Sequence, residues 1–303
     1  MAMVFLSSLN WIKMELSIVL LSKSKSFCFL GVFLFITNTS FGQWRSDSSL
    51  GWKDQNPDSV ISLSLVGQDL TLFPPDILSF KNLEYLDLSN NKISELPLEI
   101  SELSKLRYLN LSENRITTLP LAVSDLDNLS SLHLASNPNI NVEQLITVLE
   151  KVPSLEILDL RYDSLATLPD FIGGLSNLRK LDLSGNPISQ LPENLSNIST
   201  LEILTINSDP YFQIEKNIPI LLKMQNLKEL HLENDQIEFV PEELIQLSSL
   251  EYLYLNENNI ASFPKSIQKP NSLKYLDLSK NPLPEFEFES YERLLAPRIK
   301  INF

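Results

Sequence analysis

The sequence has 303 residues, of which 43% are hydrophobic, as in an ordinary folded protein, and its formal net charge is −14. This acidic excess repels the phosphates of nucleic acids and of anionic lipids, so neither is expected as a partner. Cys28 is the only cysteine, which excludes a fold held together by disulfides within the chain.

The first 42 residues have the parts of a secretory signal peptide. Two lysines precede an apolar run at 27–36, and the small residues Ser40 and Gly42 follow it. Ten helical residues reach about 15 Å, half of a hydrocarbon core of about 30 Å, so we expect no transmembrane span here. We predict export with cleavage near Gly42; an uncleaved anchor is the alternative. Loss of three lysines and one glutamate would bring the net charge from −14 to −16 and leave no cysteine.

Residues 60–283 repeat one pattern of leucines about ten times. In the stretch LEYLDLSNNKISELP, at 83–97, leucines alternate with polar residues and then recur three or four residues apart. The first spacing predicts a strand, and the second predicts a helical or 3₁₀ segment that returns the chain. The period is 23 residues except for two steps of 26, and such regularity is the mark of a solenoid. The repeats start at Val60, Leu83, Leu106, Leu129, Leu155, Leu178, Leu201, Leu227, Leu250 and Leu273.

These repeats, LxxLxLxxN followed by Ile or Leu and then Leu-Pro, resemble the leucine-rich repeat family in its 23-residue form. The resemblance covers about 225 of the 303 residues. It implies an α/β fold: a right-handed solenoid of about ten coils, with a parallel sheet on the concave side and short 3₁₀ or helical segments on the convex side. Caps are expected at 43–59 and 284–303, and their lack of cysteine resembles bacterial exported repeat proteins.

The ninth position of each coil is usually Asn. A carboxamide both donates to and accepts from backbone groups, so this column predicts a structural ladder rather than a ligand site. Asp only accepts, and the coils that carry Asp163, Asp209 and Asp235 are therefore expected to lack donors.

Two coils depart from the regular pattern, and both ends of the repeat need caps. Asn141 with Gln144 has the spacing of a capping box and predicts a true helix in the first 26-residue coil. The other long coil, from Leu201, has no Asn at its ninth position and no Leu-Pro pair. Both long segments are either tolerated insertions or binding elements. At the ends, Leu50 and Trp52 are expected to cover the first coil, and the alternation at 286–303 predicts edge strands or a cap.

Equivalent residues of successive coils are expected to stack in columns about 4.8 Å apart. The first column reads Ser62, Tyr85, Tyr108, Ser131, Ile157, Lys180, Ile203, Glu229, Tyr252 and Tyr275. The second column reads Ser64, Asp87, Asn110, His133, Asp159, Asp182, Thr205, His231, Tyr254 and Asp277.

Aromatic and aliphatic side chains on a wet face indicate a contact surface. The alternative is that the tyrosines pack against one another across the ladder. We predict a binding face for a protein partner, with a glycan or cell-wall partner as the alternative; the oligomeric state stays open. The candidate ligand-binding residues are Tyr85, Asp87, Tyr108, His133, Asp159, Asp182, His231, Tyr252, Tyr254 and Tyr275.

The same columns argue against catalysis. Ser131, His133 and Asp159 form a drawable serine–histidine–aspartate set, but there is no GxSxG elbow and no predicted oxyanion hole. His133 and His231 are four coils apart, about 20 Å, so they cannot share a metal ion. We predict a protein without catalytic residues, metal or cofactor; a hydrolase that uses the acidic column is the rival.

Overall fold

The computed structural model describes residues 52–264, 272–295 and 298–303. There, eleven three-residue strands form one parallel sheet, each strand pairing with its neighbours in sequence. The predicted signal peptide and Leu50 lie outside the described residues. The strands are β1 Ser62–Ser64, β2 Tyr85–Asp87, β3 Tyr108–Asn110, β4 Ser131–His133, β5 Ile157–Asp159, β6 Lys180–Asp182, β7 Ile203–Thr205, β8 Glu229–His231, β9 Tyr252–Tyr254, β10 Tyr275–Asp277 and β11 Lys300–Asn302.

The strand register confirms the predicted columns. Tyr85 pairs with Tyr108, and Leu86 with Leu109, and the same one-to-one pairing continues through β10. The central leucine of each strand from β1 to β10 is buried, while its two flanking residues lie on the opposite face of the sheet. We call that opposite face the concave face.

On the convex side, short 3₁₀ helices return the chain, as predicted. Most of them follow a proline such as Pro97, whose φ of −71° suits the extended residue before the turn. The 3₁₀ segments are Trp52–Asp54, Pro57–Ser59, Pro75–Ser79, Leu98–Glu102, Leu121–Asp125, Asp170–Gly174, Glu193–Asn197 and Glu242–Gln246.

Three described coils carry an α-helix instead: α1 Val142–Leu149, α2 Ile214–Leu221 and α3 Glu285–Leu295. The predicted helix α1 and its N-cap are confirmed, since the Asn141 side chain accepts from Gln144 N at 3.0 Å. The reciprocal bond of a capping box is not made, because Asn141 N donates to Thr117 O. The helical coils start at Leu129, Leu201 and Leu273, so they are the fourth, seventh and tenth coils and lie 72 residues apart.

A side-chain amide docks each of the first two helices onto the preceding coil. Gln144 accepts from Leu119 N at 3.1 Å and donates to Leu119 O at 2.5 Å. Asn217, fully buried in α2, accepts from Leu191 N at 2.8 Å and donates to Ser189 O at 3.2 Å. Leu119 and Leu191 are equivalent leucines, so the two amides satisfy the same backbone group in two coils.

The C-terminal end corrects one expectation. Phe286 and Phe288 alternate like strand residues but lie in α3, where Phe288 packs against Phe303 with ring centroids 4.6 Å apart. Strand β11 follows and pairs with β10, so an edge strand does form at the end of the segment for which edge strands or a cap were predicted. At the other end, Trp52 packs edge-on against Phe80 at 6.2 Å, as expected of a cap residue.

Candidate binding face of the parallel sheet

Two groups of aromatic rings lie on the concave face, one near each end. In the first, Tyr85 and Tyr108 stack with centroids 4.2 Å apart and ring planes within 6°. Tyr108 also contacts the ring of His133 at 4.9 Å. Burial, and then the charge of Asp87, raises the pKa of Tyr85, and burial raises that of Tyr108 further. Both hydroxyls are therefore neutral at any physiological pH.

The second ring group lies on strands β8 to β10. His231 stacks on Tyr254 at 4.1 Å, and Tyr254 contacts Tyr275 at 5.3 Å. Tyr252 is the register neighbour of Tyr275, and Lys300 lies over the Tyr275 ring at 5.7 Å. All three tyrosines are partly exposed. The ladder spacing brings neighbouring rings into contact, parallel for His231 and Tyr254 and tilted by 47° for Tyr254 and Tyr275, so packing accounts for part of this pattern.

Between the ring groups lies a charged network centred on Asp159. Its carboxylate accepts from Arg161 Nε at 2.9 Å and Nη2 at 2.8 Å, and His133 Nδ1 lies 3.3 Å from Oδ2. Burial works against this charge, but the bonds from His133 and Arg161 outweigh burial and hold the pKa of Asp159 well below its usual range. Arg161 also approaches Asp182 at 3.6 Å, which links two strands.

The structure places Ser131, His133 and Asp159 next to one another, in the order of a serine–histidine–aspartate triad. Ser131 Oγ lies 2.9 Å from His133 Nε2, on the side of the ring opposite Asp159. However, Ser131 is buried and its backbone N–H is used in the strand ladder, donating to Arg107 O at 2.9 Å. Asp159 also accepts two hydrogen bonds from Arg161, so its negative charge is shared between Arg161 and His133. This arrangement fits a structural hydrogen-bond chain better than a nucleophile with an oxyanion site.

His231 lies between two glutamates. Its Nε2 is 3.6 Å from Glu229 and its Nδ1 is 3.6 Å from Glu233, whose carboxylate also accepts from Asn207 Nδ2. Burial alone would lower the pKa of His231, but the two carboxylates outweigh burial and raise it. The imidazolium form is thus favoured at this end of the face.

The remaining acids of the second column bond to their own strand ends. Asp182 Oδ1 accepts from Ser184 N at 3.1 Å and Ser184 Oγ at 2.7 Å. Asp87 with Ser89, and Asp277 with Ser279, repeat this arrangement. Asp-x-Ser therefore closes the strand by an Asx-type turn, which gives these aspartates a structural role beside any binding role.

Comparison with known proteins places this fold. Leucine rich repeat models match residues 59–116, 81–138 and 225–283, and a further one matches 177–198. Together they span just over half of the chain. The chain belongs to the leucine-rich repeat family.

One solved structure supports the same fold. The structure of an internalin from Listeria monocytogenes superposes with a TM-score of 0.58 at 22% identity, over 82% of this chain and 81% of that one. A leucine-rich repeat protein of Leptospira interrogans aligns at 22% identity over 82% of this chain and 97% of that one, with a TM-score of 0.34. Comparison with curated protein sequences finds no match.

Within this leucine-rich repeat, sequence reasoning missed a third column of the concave face. It lies two residues beyond the second column and holds Arg161, Asn207 and Glu233. Arg161 pairs with Asp159 and Glu233 with His231 of the second column, whereas the Asn207 side chain bonds to Glu233 within the third column. Continuing the alternation by one more step would have found it. The predicted residues themselves divide into two ring groups and a charged centre rather than one continuous row.

Sequence reasoning also missed a row of alternating charges beside the first column. Glu202 pairs with Arg179 at 2.7 Å and with Lys228 at 3.0 Å, and Glu251 pairs with Lys274 at 2.7 Å. These exposed pairs neutralise one another along the edge of the sheet and contribute little stability each.

Neither a metal centre nor a membrane span emerges from residues 52–264, 272–295 and 298–303. In that part of the leucine-rich repeat no three His, Cys, Asp or Glu side chains are grouped to hold a metal, and none of its helices has the length and apolar character needed to cross a bilayer. A cleft with room for about one water molecule, lined by Glu150, Pro153 and Gly174, lies beside α1 on the convex side.

Proposed function

We propose that this leucine-rich repeat protein is an exported, non-catalytic binding module that holds a protein partner on its concave face. The observation that carries the proposal is the pair of partly exposed ring groups, Tyr85–Tyr108 and His231–Tyr254–Tyr275, on a face that the solenoid does not need for its core. Tyrosine offers a large, rigid contact area and a hydroxyl at small entropic cost, as recognition surfaces require.

The stacking geometry favours a protein over a glycan. A sugar binds to tyrosine mainly by lying on an open ring face, but the facing sides of Tyr85 and Tyr108 are covered by each other at 4.2 Å. The facing sides of His231 and Tyr254 cover each other at 4.1 Å. Rings stacked in this way present edges to a partner, which suits hydrogen bonds and side-chain contacts with a protein surface.

Two observations support a non-catalytic role. The acids and histidines of the face are paired with one another, as His133–Asp159–Arg161 and Glu229–His231–Glu233 are. Enzymes usually enclose their reacting groups in a water-excluding pocket, whereas these groups lie on an open sheet. Export rests on the signal-like residues 1–42, and N-terminal sequencing of the protein from its native compartment tests it.

Capture of partners by the purified protein tests the binding face. The test variant carries Ser at Tyr85, Tyr108, Tyr252, Tyr254 and Tyr275. The matched control carries Ser at Tyr162 and Tyr211, which are 54% and 64% exposed and lie off the two columns. Circular dichroism and urea unfolding first establish that each variant folds. All three proteins are then offered extracellular proteins of the native environment and, separately, a glycan array.

We expect a protein that binds the wild type and the control and is lost by the test variant. Equal capture by all three would place the site elsewhere, for example on the convex helices α1 and α2. Binding on the glycan array alone that is lost in the test variant would support the concave face as the binding site but would identify the partner as a glycan instead of a protein.

A further inference from the structure

The ninth-position ladder has a regular hydrogen-bond pattern that defines what each position needs. Asn186 Oδ1 accepts from Asp163 N at 2.9 Å and Leu165 N at 3.0 Å, both in the preceding coil. Its Nδ2 donates to Leu160 O and Leu183 O, both at 2.7 Å. One oxygen and one donor nitrogen thus satisfy four backbone groups that water cannot reach.

Asp163 and Asp235 occupy the same position with only half of this pattern. Asp163 Oδ1 accepts from Asn137 N at 2.6 Å, and Asp235 Oδ1 accepts from Asp209 N at 2.8 Å, as the amide oxygens do elsewhere. Oδ2 of each is therefore in the place of the donor nitrogen. Both Oδ2 atoms are buried without a hydrogen-bond partner, and the two residues are 1% and 2% exposed.

The groups that should surround each Oδ2 are acceptors. By the register of the ladder, backbone carbonyls of Leu134 and Leu160 lie at the Asp163 position, since Asn137 donates to the first and Asn186 to the second. At the Asp235 position the register places Leu232 O, to which Asn258 donates at 2.6 Å. A carboxylate oxygen repels such carbonyls, whereas a protonated carboxyl donates to one of them.

The charges around both residues also oppose ionisation. Asp159 is the charged group against Asp163, while Asp209 and Glu233 lie against Asp235; the amides of Asn186 and Asn258 on the following coils are neutral. Burial, followed by these like charges, raises the pKa of each carboxyl to about 8.

Asp209 shows that an aspartate in this column need not behave in this way. Its two oxygens both accept from backbone donors, Oδ1 from Tyr211 N at 3.0 Å and Oδ2 from Ile188 N at 2.8 Å. The loss of donors that the sequence predicts for three aspartates therefore leaves an unpaired oxygen at only two of them.

We propose that Asp163 and Asp235 are proton-binding sites: each folds as a neutral carboxylic acid that donates to a backbone carbonyl, and its ionisation loosens the joint with the preceding coil. Both lie in the coil that directly follows a helical one, after α1 and after α2. The two joints that directly follow the helical coils of α1 and α2 thus depend on a proton, whereas the Asn-bearing joints do not.

The direction in which pH changes the stability follows from the linkage between proton binding and folding. A carboxyl whose folded-state pKa is raised gives its full stabilisation below its unfolded value, near pH 4. That stabilisation is lost as the pH rises through the folded value, near pH 8. Between these limits each site lowers the folding equilibrium constant by up to about tenfold per pH unit.

Replacing each carboxyl with an amide tests the proposal. D163N and D235N supply the donor that the neighbouring coils already have, so we expect their urea midpoints to rise above wild type at pH 8 and to match it near pH 4.5. In the double variant, the urea midpoint should fall much less between pH 4.5 and pH 8 than it does in the wild type. D125N is the control, because it removes the same charge from an exposed 3₁₀ residue.

Two results would overturn the proposal. D163N and D235N with the same pH dependence as D125N would mean that the loss of stability reflects only the general acidic charge. The second readout does not depend on stability: carbon-13 NMR of the Asp163 and Asp235 carboxyl carbons in the folded wild type. Titration of both below about pH 5, as for ordinary aspartates, would contradict the proposal.

Discussion

At the scale of single residues, the turn that follows each strand is the most demanding part of the coil. The eighth residue of each coil has a positive φ, for example 55° at Asn90, 57° at Tyr162 and 69° at Gly185. Most coils accept a side chain there at a modest cost in strain. Gly185 differs because the ring of Tyr162 lies over it: a Cβ on Gly185 would be 2.2 Å from that ring.

We therefore expect Gly185→Ala to lower the free energy of unfolding by more than about 1 kcal/mol, since it adds left-handed strain and displaces the Tyr162 ring. Urea unfolding measures the change. Gly67→Ala is the matched control, because Gly67 has a φ of 66° but its nearest neighbour, Asn90 Nδ2, would be 3.3 Å from the new atom. Adding Tyr162→Ser to Gly185→Ala should remove the difference; equal losses at Gly67 and Gly185 would show that the ring gives way freely.

At the scale of elements, each strand separates two roles. The central residue faces the core, as fully buried Leu181 does in β6, and the flanking residues face the concave side, as partly exposed Tyr108 does in β3. A core truncation leaves a cavity shared by three coils, whereas truncation on the concave face leaves a gap open to water.

Leu181→Ala should lower the free energy of unfolding by about 2–5 kcal/mol, as buried leucine truncations do. Tyr108→Ser should cost about 1–2 kcal/mol, because it loses one stacked pair with Tyr85 and part of a half-buried ring. Thermal or urea unfolding of both variants checks this order. Equal losses would indicate that the tyrosines are present chiefly for packing.

The convex elements follow a longer period than the strands. Helices α1, α2 and α3 recur every third coil, and the amides of Gln144 and Asn217 dock the first two onto equivalent leucines. An insertion that is merely tolerated would not need a doubly bonded amide, least of all one as buried as that of Asn217. These coils are therefore integral parts of the solenoid, whether or not they also bind a partner.

At the scale of the whole molecule, several titrating groups act together on stability. Asp163, Asp235 and His231 have raised pKa values in the folded state, so their contributions are lost as the pH rises. Asp159 and Asp277 have lowered pKa values, because their hydrogen bonds outweigh burial, so their contributions are lost as the pH falls below about 4.

These opposite trends predict maximal stability near pH 4, with a decline on either side. Thermal unfolding at constant ionic strength across pH 3–9 measures it. His231→Gln should reduce the fall in stability above about pH 6.5. In that range wild-type His231 has lost its proton in the unfolded chain but still holds it in the folded one. A stability maximum above pH 7 would contradict the assignment of raised pKa values to these groups.

The sequence by itself determined the repeat, the strands and the two columns. One 23-residue coil cannot bury its leucines alone, so each coil packs its leucines against the next and the strands align in register. It also determined α1, because the N-cap residue Asn141 is a local signal that needs no tertiary context.

Only the tertiary structure decided the rest, because these features depend on atoms far apart in sequence. Phe286 and Phe288 alternate as strand residues do, yet packing against Phe303 on the last strand places them in α3. The division of the concave face into two ring groups around Asp159, Arg161 and His133 depends on which side chains reach across neighbouring strands. Likewise, three aspartates look alike in the ninth column, but donors from adjoining coils satisfy both oxygens of Asp209 and leave one oxygen unpaired on Asp163 and on Asp235, because burial withholds water from these positions.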